Sequence, residues 1–148
     1  MVTTPIKYTQ DLSAELTTGT AISIVDGRYG DRLRTLRNKF SEAALQRART
    51  AMEVRYLIAL SELGVIRPFN GQERQFLHGL YQDFGIPEFN RVKQIERDPT
   101  KARGADVKAV ELYLKERFQG TSLEDVSEMA HFALTSEDPT NIALMSLT

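Results

Sequence analysis

Residues 131–138 (HFALTSED) carry a histidine, two hydroxyls and two carboxylates between two apolar helical patterns. Thr135 and Ser136 stand just before Asp138 and Pro139, a suitable N-cap and first helical residue. Two hydroxyls beside the free backbone N–H groups of a helix start can hold a carboxylate or a phosphate. A capped turn between two helices explains the same pattern without a ligand, and on local pattern alone this second interpretation is the more common one.

The flanking patterns predict a helix on each side of this segment. Before it, apolar residues follow the i, i+3, i+4, i+7 spacing of a packed helix: Val126, Met129, Ala130 and Ala133. After it, an apolar run continues without a Gly, a Pro or a terminal basic residue to close it: Ile142, Ala143, Leu144, Met145 and Leu147. We therefore expect an apolar patch here that drives self-association or requires a partner.

Arg28 and Tyr29 form a second candidate position, because they follow a short apolar run and an Asp-Gly turn. A guanidinium fork and a phenol on such a turn can converge on a phosphate group. Asp31 is a candidate cap for a helix that starts at Arg32. The arginines of that helix are better explained as a solvated surface: Arg32, Arg34 and Arg37.

The remaining sequence predicts an all-α fold of about six helices with short connections and no convincing pair of strands. Ser41 is the expected cap of a long helix that ends near Leu63, and Asn70 with Glu73 has the spacing of a capping box. The apolar stripe of the long helix indicates core packing and no chemistry. His78 lies off the apolar face of its helix, so we interpret it as a surface or packing residue.

Composition excludes several classes of function. The 148 residues carry a net charge of −1, so no overall field favours nucleic acid or an anionic membrane. No apolar run is long enough to span a bilayer, and the polar residues 1–10 do not resemble a signal peptide. Without cysteine there is no disulfide or thiolate site, and the two histidines lack metal-ligand spacing. We expect a cytoplasmic protein that uses no metal and no cofactor.

Three segments resemble, in the same order, signature segments of the adenylosuccinate lyases, which belong to the fumarase/aspartase superfamily. They are residues 22–31 (ISIVDGRYGD), 106–111 (DVKAVE) and 131–138 (HFALTSED). The family chain is several times longer, so the resemblance is to its N-terminal portion. It implies a helical N-terminal lyase domain over 21–134 and the start of a truncated central helical domain over 135–148. Residues 1–20 lie outside the resemblance; they carry many threonines and no sustained period, so we predict a flexible N-terminal tail there.

The resemblance also implies a set of substrate-binding residues: Arg28, Tyr29, Asp106, His131, Thr135 and Ser136. In the family, the pair that matches Arg28 and Tyr29 contacts the phosphate of the substrate, and the residue that matches His131 lies near the substrate. For His131, a structural role at a helix end is an equal alternative. Ala105 stands where the family has a histidine before Asp106, and alanine can neither donate, accept nor transfer a proton.

The resemblance implies a lyase reaction on a nucleotide. Enzymes of this family release fumarate by anti-elimination, from adenylosuccinate to give AMP and from SAICAR to give AICAR in purine biosynthesis, and they assemble as homotetramers. Their proton-transferring acid and base lie in later segments, so we assign no catalytic residue and predict that the isolated chain is inactive. The alternative is a catalytically dead helical binding or assembly module, which Ala105 favours, whereas intact Arg28-Tyr29 and Thr135-Ser136 favour the lyase.

Overall fold

The computed structural model describes residues 7–12, 20 and 30–148. Over these residues the regular structure is entirely helical, which confirms the predicted all-α class. Six α-helices follow one another: α1 (Arg34–Phe40), α2 (Glu42–Glu62), α3 (Gly71–Gln82), α4 (Ile86–Arg97), α5 (Asp106–Phe118) and α6 (Glu137–Leu147). Two 3-10 helices, Gly30–Leu33 and Glu124–Met129, precede α1 and α6. None of the described helices has the length and hydropathy to cross a membrane.

Helix α2 is the central element, and each of the other five α-helices packs against it. It begins where predicted, because the Ser41 side chain accepts a hydrogen bond from the Ala44 N–H at 3.2 Å. Gly64, with φ +73°, lies just after its end. Its burial exceeds the predicted apolar stripe, since polar side chains are buried among the alanines and leucines: Gln46, Arg47, Arg49, Thr50, Glu53 and Ser61.

The capping box at the start of α3 is confirmed. The Asn70 side chain accepts from the Glu73 N–H at 2.9 Å, and the Glu73 carboxylate accepts from the Asn70 N–H at 2.9 Å. Arg67 adds to this arrangement with two hydrogen bonds to Glu73 and an ion pair to Asp125 at 2.6 Å. We call Arg67, Glu73, Ser122 and Asp125 the Arg67 cluster; it ties the start of α3 to the loop and 3-10 helix after α5.

The segment 7–12 packs on the helices, although it belongs to the predicted flexible tail. Leu12 is buried, and its N–H donates to the Asn38 side chain at 2.6 Å. The Arg47 guanidinium lies 3.9 Å from the centre of the Tyr8 ring and donates to the Gln10 carbonyl at 2.9 Å. The described part of the tail is therefore in contact with α1 and α2, while the domain boundaries stay a prediction.

Three helix boundaries differ from the predicted ones. Helix α1 begins at Arg34 with Leu33 as its N-cap, two residues after the predicted start at Arg32. The helix expected before residues 131–138 is only a 3-10 helix that ends at Met129, because the chain turns sharply after it. Helix α6 begins at Glu137 with Ser136 as N-cap, so the prediction of Asp138 as the capping residue is wrong.

Helix α6 has one buried side and one exposed apolar side. Its buried residues follow the i, i+4, i+8 spacing of a packed face and lie against α2: Pro139, Ala143 and Leu147. Other apolar side chains of the same helix are about half exposed or more: Ile142 at 51%, Leu144 at 49% and Met145 at 77%. The expected apolar patch is therefore present, although two of its five predicted members are buried within the chain.

Candidate functional site

Arg49 and Glu53 lie one turn apart on α2 and carry opposite charges. Both side chains are almost fully buried, with relative exposures of 6% and 1%. Because burying an unpaired charge in a protein interior is very unfavourable, each side chain requires partners. Each finds them in residues far away in the sequence, near the start of α5 and in the turn before α6.

Arg49 joins the starts of two helices. Its Nη1 lies 2.6 Å from Asp106 Oδ2 at the start of α5, and its Nη2 donates to Thr140 Oγ1 of α6 at 3.1 Å. Burial raises the pKa of Asp106, but the hydrogen bond and charge of Arg49 outweigh it, so the pKa lies below its ordinary value. The Asp106 side chain remains 50% exposed, so this carboxylate faces both the protein and the solvent.

Glu53 holds His131. The Glu53 Oε1 and His131 Nδ1 atoms are 2.5 Å apart, a short charge-assisted contact, and the imidazole is only 16% exposed. Burial raises the pKa of Glu53, and the hydrogen bonds and charge of His131 oppose this shift without cancelling it. The other carboxylate oxygen, Oε2, is buried and has no hydrogen-bond partner among the described residues.

The turn that presents His131 has an unusual backbone. His131 and Ala133 both have positive φ angles, +63° and +56°, in the left-handed region that non-glycine residues seldom adopt. A third residue of α2 supports this turn, since the Tyr56 hydroxyl donates to the Phe132 carbonyl at 3.1 Å. Such conformations cost of order 1 kcal/mol or more each and persist only where surrounding contacts impose them.

Thr135 and Ser136 lie at the exposed start of α6. The Asp138 carboxylate accepts from the Thr135 N–H at 2.8 Å and from the Thr135 hydroxyl at 3.1 Å. The Ser136 carbonyl accepts from the Thr140 hydroxyl at 2.8 Å, which links this residue to Arg49. The Ser136 hydroxyl itself makes no hydrogen bond within the described ranges. The helix start therefore already holds one carboxylate, that of Asp138, on the groups predicted to hold a ligand.

No family model matches the chain, but individual relatives do. It is 43% identical over 133 residues to the adenylosuccinate lyase of Haemophilus influenzae, in a match that covers 87% of this chain and 28% of that protein. The adenylosuccinate lyase of Vibrio cholerae is 41% identical over 131 residues, with coverages of 86% and 28%. That of Dictyostelium discoideum is 39% identical over 132 residues, with coverages of 84% and 27%.

This chain belongs to the adenylosuccinate lyase family. The family recognised from three short segments is thus confirmed by matches that run over most of the chain. The chain spans a little over a quarter of the length of the curated relatives that it matches.

Four of the six residues predicted from the lyase resemblance lie around α2. Asp106 contacts this helix through Arg49, and His131 contacts it through Glu53. Ser136 is linked to Arg49 by way of Thr140, and Thr135 is the residue before it. The other two, Arg28 and Tyr29, lie outside the described residues. Their proposed role in binding stays a prediction.

The residues of α2 that hold this site were not among the predicted site residues. We interpreted the helix as core packing without chemistry, and that interpretation is incomplete, since Arg49 and Glu53 are the partners of two predicted site residues. One feature of the sequence indicates them: an arginine and a glutamate four residues apart inside a helix whose other positions are mostly apolar. A buried charge of this kind requires a distant partner.

Two grooves of the described structure lie away from the predicted residues. A groove of about 530 Å³ lies between α3 and α5, lined by Phe76, Tyr113 and Arg117 among others. A second, of about 410 Å³, adjoins the segment 7–12 and Arg47. Neither contains a residue of the predicted set. We place the candidate site by its buried charges and strained turn, because these need a specific explanation and a shallow groove does not.

Proposed function

We propose that this chain is the N-terminal, substrate-binding part of an adenylosuccinate lyase. In that role it serves purine biosynthesis, where fumarate is released from adenylosuccinate to give AMP and from SAICAR to give AICAR. One observation carries the proposal: Asp106, His131 and Ser136, which come from two separate family segments, are connected through Arg49, Glu53 and Thr140. The family relationship supports the same conclusion.

The succinyl carboxylate is assigned to the start of α6. Asp138 supports this assignment, because its carboxylate already accepts hydrogen bonds from the N–H and the hydroxyl of Thr135. A ligand carboxylate would take the place of Asp138 on Thr135, and the Ser136 hydroxyl, which makes no hydrogen bond to a described residue, would supply a further donor. His131 lies on the turn that leads into this helix start and would contribute its ring.

The nucleotide phosphate is assigned to Arg28 and Tyr29. A charge-assisted hydrogen bond of this kind is worth about 1.5–3 kcal/mol. Arg28→Ala should therefore weaken AMP binding to the assembled lyase by on the order of tenfold or more. Ser136→Ala should leave AMP affinity unchanged, since AMP has no succinyl group, and weaken binding of adenylosuccinate. Both affinities can be measured by titration calorimetry.

A matched control is available on α1. Arg34 is an exposed arginine near the proposed phosphate site in sequence, so Arg34→Ala should change neither affinity. If Arg28→Ala left AMP affinity at the level of Arg34→Ala, the phosphate assignment would be wrong. If Ser136→Ala weakened AMP and adenylosuccinate equally, the carboxylate assignment would fail instead.

Proton transfer is not assigned to any residue of this chain. Asp106 is engaged in an ion pair with Arg49, and Glu53 and His131 Nδ1 are engaged with each other. We therefore propose that the 148 residues alone bind and position substrate without cleaving it. The exposed apolar side of α6, with Ile142, Leu144 and Met145, supports assembly as a homo-oligomer, in which other segments would complete the reaction.

The alternative function is that of a helical module that keeps the fold without catalysis. Ala105 favours it, because this residue is the exposed N-cap of α5 and provides no side-chain hydrogen bond at the position of the family's histidine. Ala105→His separates the two functions. An increase in fumarate release by the assembled protein would identify Ala105 as a lesion in a working lyase. No increase, together with normal AMP binding, would favour the binding module.

A further inference from the structure

We propose that Glu53 is a positioning residue for His131: its buried carboxylate accepts the Nδ1–H hydrogen bond and leaves Nε2 as the ring atom that meets a ligand. That this ligand is the substrate of a lyase rests on the proposed function. The pairing itself is a property of the folded chain, and it can be tested without any ligand.

The contact determines where the imidazole carries its proton. Glu53 Oε1 and His131 Nδ1 are 2.5 Å apart, and an ionised carboxylate can only accept a hydrogen bond. The neutral imidazole is therefore protonated on Nδ1, with a lone pair on Nε2. Nε2 makes no hydrogen bond to any residue that the structure describes. Since the ring remains 16% exposed, this atom is the one that solvent or a ligand can reach.

A purely structural role does not account for this pair. A buried ion pair can often be replaced by apolar side chains of similar volume without loss of stability. Here the carboxylate is 1% exposed, its Oε2 is buried without a partner among the described residues, and Glu111 adds a second negative charge nearby. These features make burial of the ionised Glu53 carboxylate costly. The presence of this buried carboxylate is explained if Glu53 serves to orient the His131 ring.

The backbone supports the same conclusion. Contacts with α2 hold the main chain next to His131 as well as its ring. The residue stands at φ +63°, and Tyr56 holds the next carbonyl from one turn further along α2. A ring fixed in this way loses little conformational freedom when a ligand binds. When the ring is protonated, Nε2–H becomes a donor directed away from Glu53 and suited to an anionic oxygen.

The test is to determine which nitrogen of neutral His131 carries the proton. The chain has only two histidines, so long-range ¹H–¹⁵N spectra of the labelled protein contain two imidazole patterns, and His78→Gln assigns them. We expect neutral His131 in the wild-type chain to be protonated on Nδ1. Glu53→Met, which keeps a similar volume and removes the acceptor, should shift the ratio of the two tautomers towards Nε2–H by on the order of tenfold.

Glu73→Gln is the matched control, because it removes an equally buried carboxylate from the Arg67 cluster and should leave the His131 pattern unchanged. The proposal is overturned if neutral wild-type His131 is protonated on Nε2, or if a folded Glu53→Met variant keeps the wild-type ratio. Should Glu53→Met lose its helical circular dichroism, the wild-type spectrum alone decides. None of these outcomes depends on nucleotide binding, whereas failure of the Arg28 and Ser136 experiments would leave the Glu53–His131 pair intact.

Discussion

Two charged clusters in this molecule each contain a glutamate of similar solvent exposure, yet the pKa values of the two glutamates shift in opposite directions. In the Arg67 cluster, Glu73 is 5% exposed, and hydrogen bonds from Arg67 lower its pKa to about 2. On α2, Glu53 is 2% exposed, and burial raises its pKa above the ordinary value. Hydrogen bonds dominate at Glu73, which is engaged by two guanidinium bonds, a backbone N–H and a hydroxyl. Desolvation dominates at Glu53, which has only His131 as a hydrogen-bond partner among the described residues.

The two clusters differ in how completely their buried charges are hydrogen-bonded. This difference separates charges that stabilise the fold from charges that are retained for another reason. Both oxygens of Glu73 are hydrogen-bonded, and so are three nitrogens of Arg67. In the site on α2, the Arg49 Nε and the Glu53 Oε2 are buried and have no partner within the part of the chain that the structure describes. Incomplete pairing of buried charges lowers stability, and it is found where a protein uses the charge for binding or catalysis.

Removal of Arg67 is expected to have the largest effect on stability. Arg67→Met leaves Glu73 buried with neither guanidinium bond and should lower the free energy of unfolding by about 3 kcal/mol. Urea unfolding followed by circular dichroism measures this change. The control is Arg91→Met, which breaks an exposed pair with Glu116 and should cost less than about 1 kcal/mol. Equal losses in the two variants would remove the distinction between clusters.

Lowering the pH should change the contributions of Glu73 and Glu53 to the free energy of unfolding in opposite directions. The folded pKa of Glu73 is about 2, against an ordinary 4.5, so its stabilisation is complete above pH 4.5 and is lost as the pH falls to about 2. By pH 3 we expect that loss to be about 2 kcal/mol. The folded pKa of Glu53 is raised above 4.5, so its ionised form destabilises the fold, and this destabilisation is relieved as the pH falls through the folded pKa towards 4.5.

The free energy of unfolding measured between about pH 6 and pH 3 tests both signs. On acidification, the free energy of unfolding of Glu73→Gln should fall less steeply than that of the wild-type chain, because the variant has no ionised Glu73 to lose. The free energy of unfolding of Glu53→Gln should fall more steeply than that of the wild type, because the variant has no destabilising buried charge that protonation could remove. Parallel curves for the wild type and Glu53→Gln would show that burial of Glu53 is not destabilising.

The smallest effect on stability is expected at Arg49. Arg49→Met removes the pair with Asp106 but also removes a buried charge with an unpartnered Nε, and the Asp106 carboxylate is half solvated already. These terms oppose one another, so the free energy of unfolding should change by less than about 1 kcal/mol in either direction. A loss as large as that of Arg67→Met would mean that Arg49 belongs to the same structural class.

Local interactions explain which parts of the fold were predictable. Ser41 caps α2 through an N–H three residues away, and Asn70 and Glu73 cap α3 reciprocally over the same distance. The turn after Met129 was predicted as helix, because its alanines fit a helical period and nothing in the residue types requires the positive φ of His131 and Ala133. That conformation depends on contacts with α2, which a local pattern does not contain.

The all-α class, the main caps and the family could be predicted, because each depends on residues that are close together or on short ordered segments. Which charges meet depends on tertiary packing. Arg49 reaches Asp106 across 57 residues and Thr140 across 91, and Glu53 reaches His131 across 78. No periodicity connects positions so far apart. The packing of α5 and α6 against one buried helix brings them together, and the low polarity of that interior makes their pairing specific.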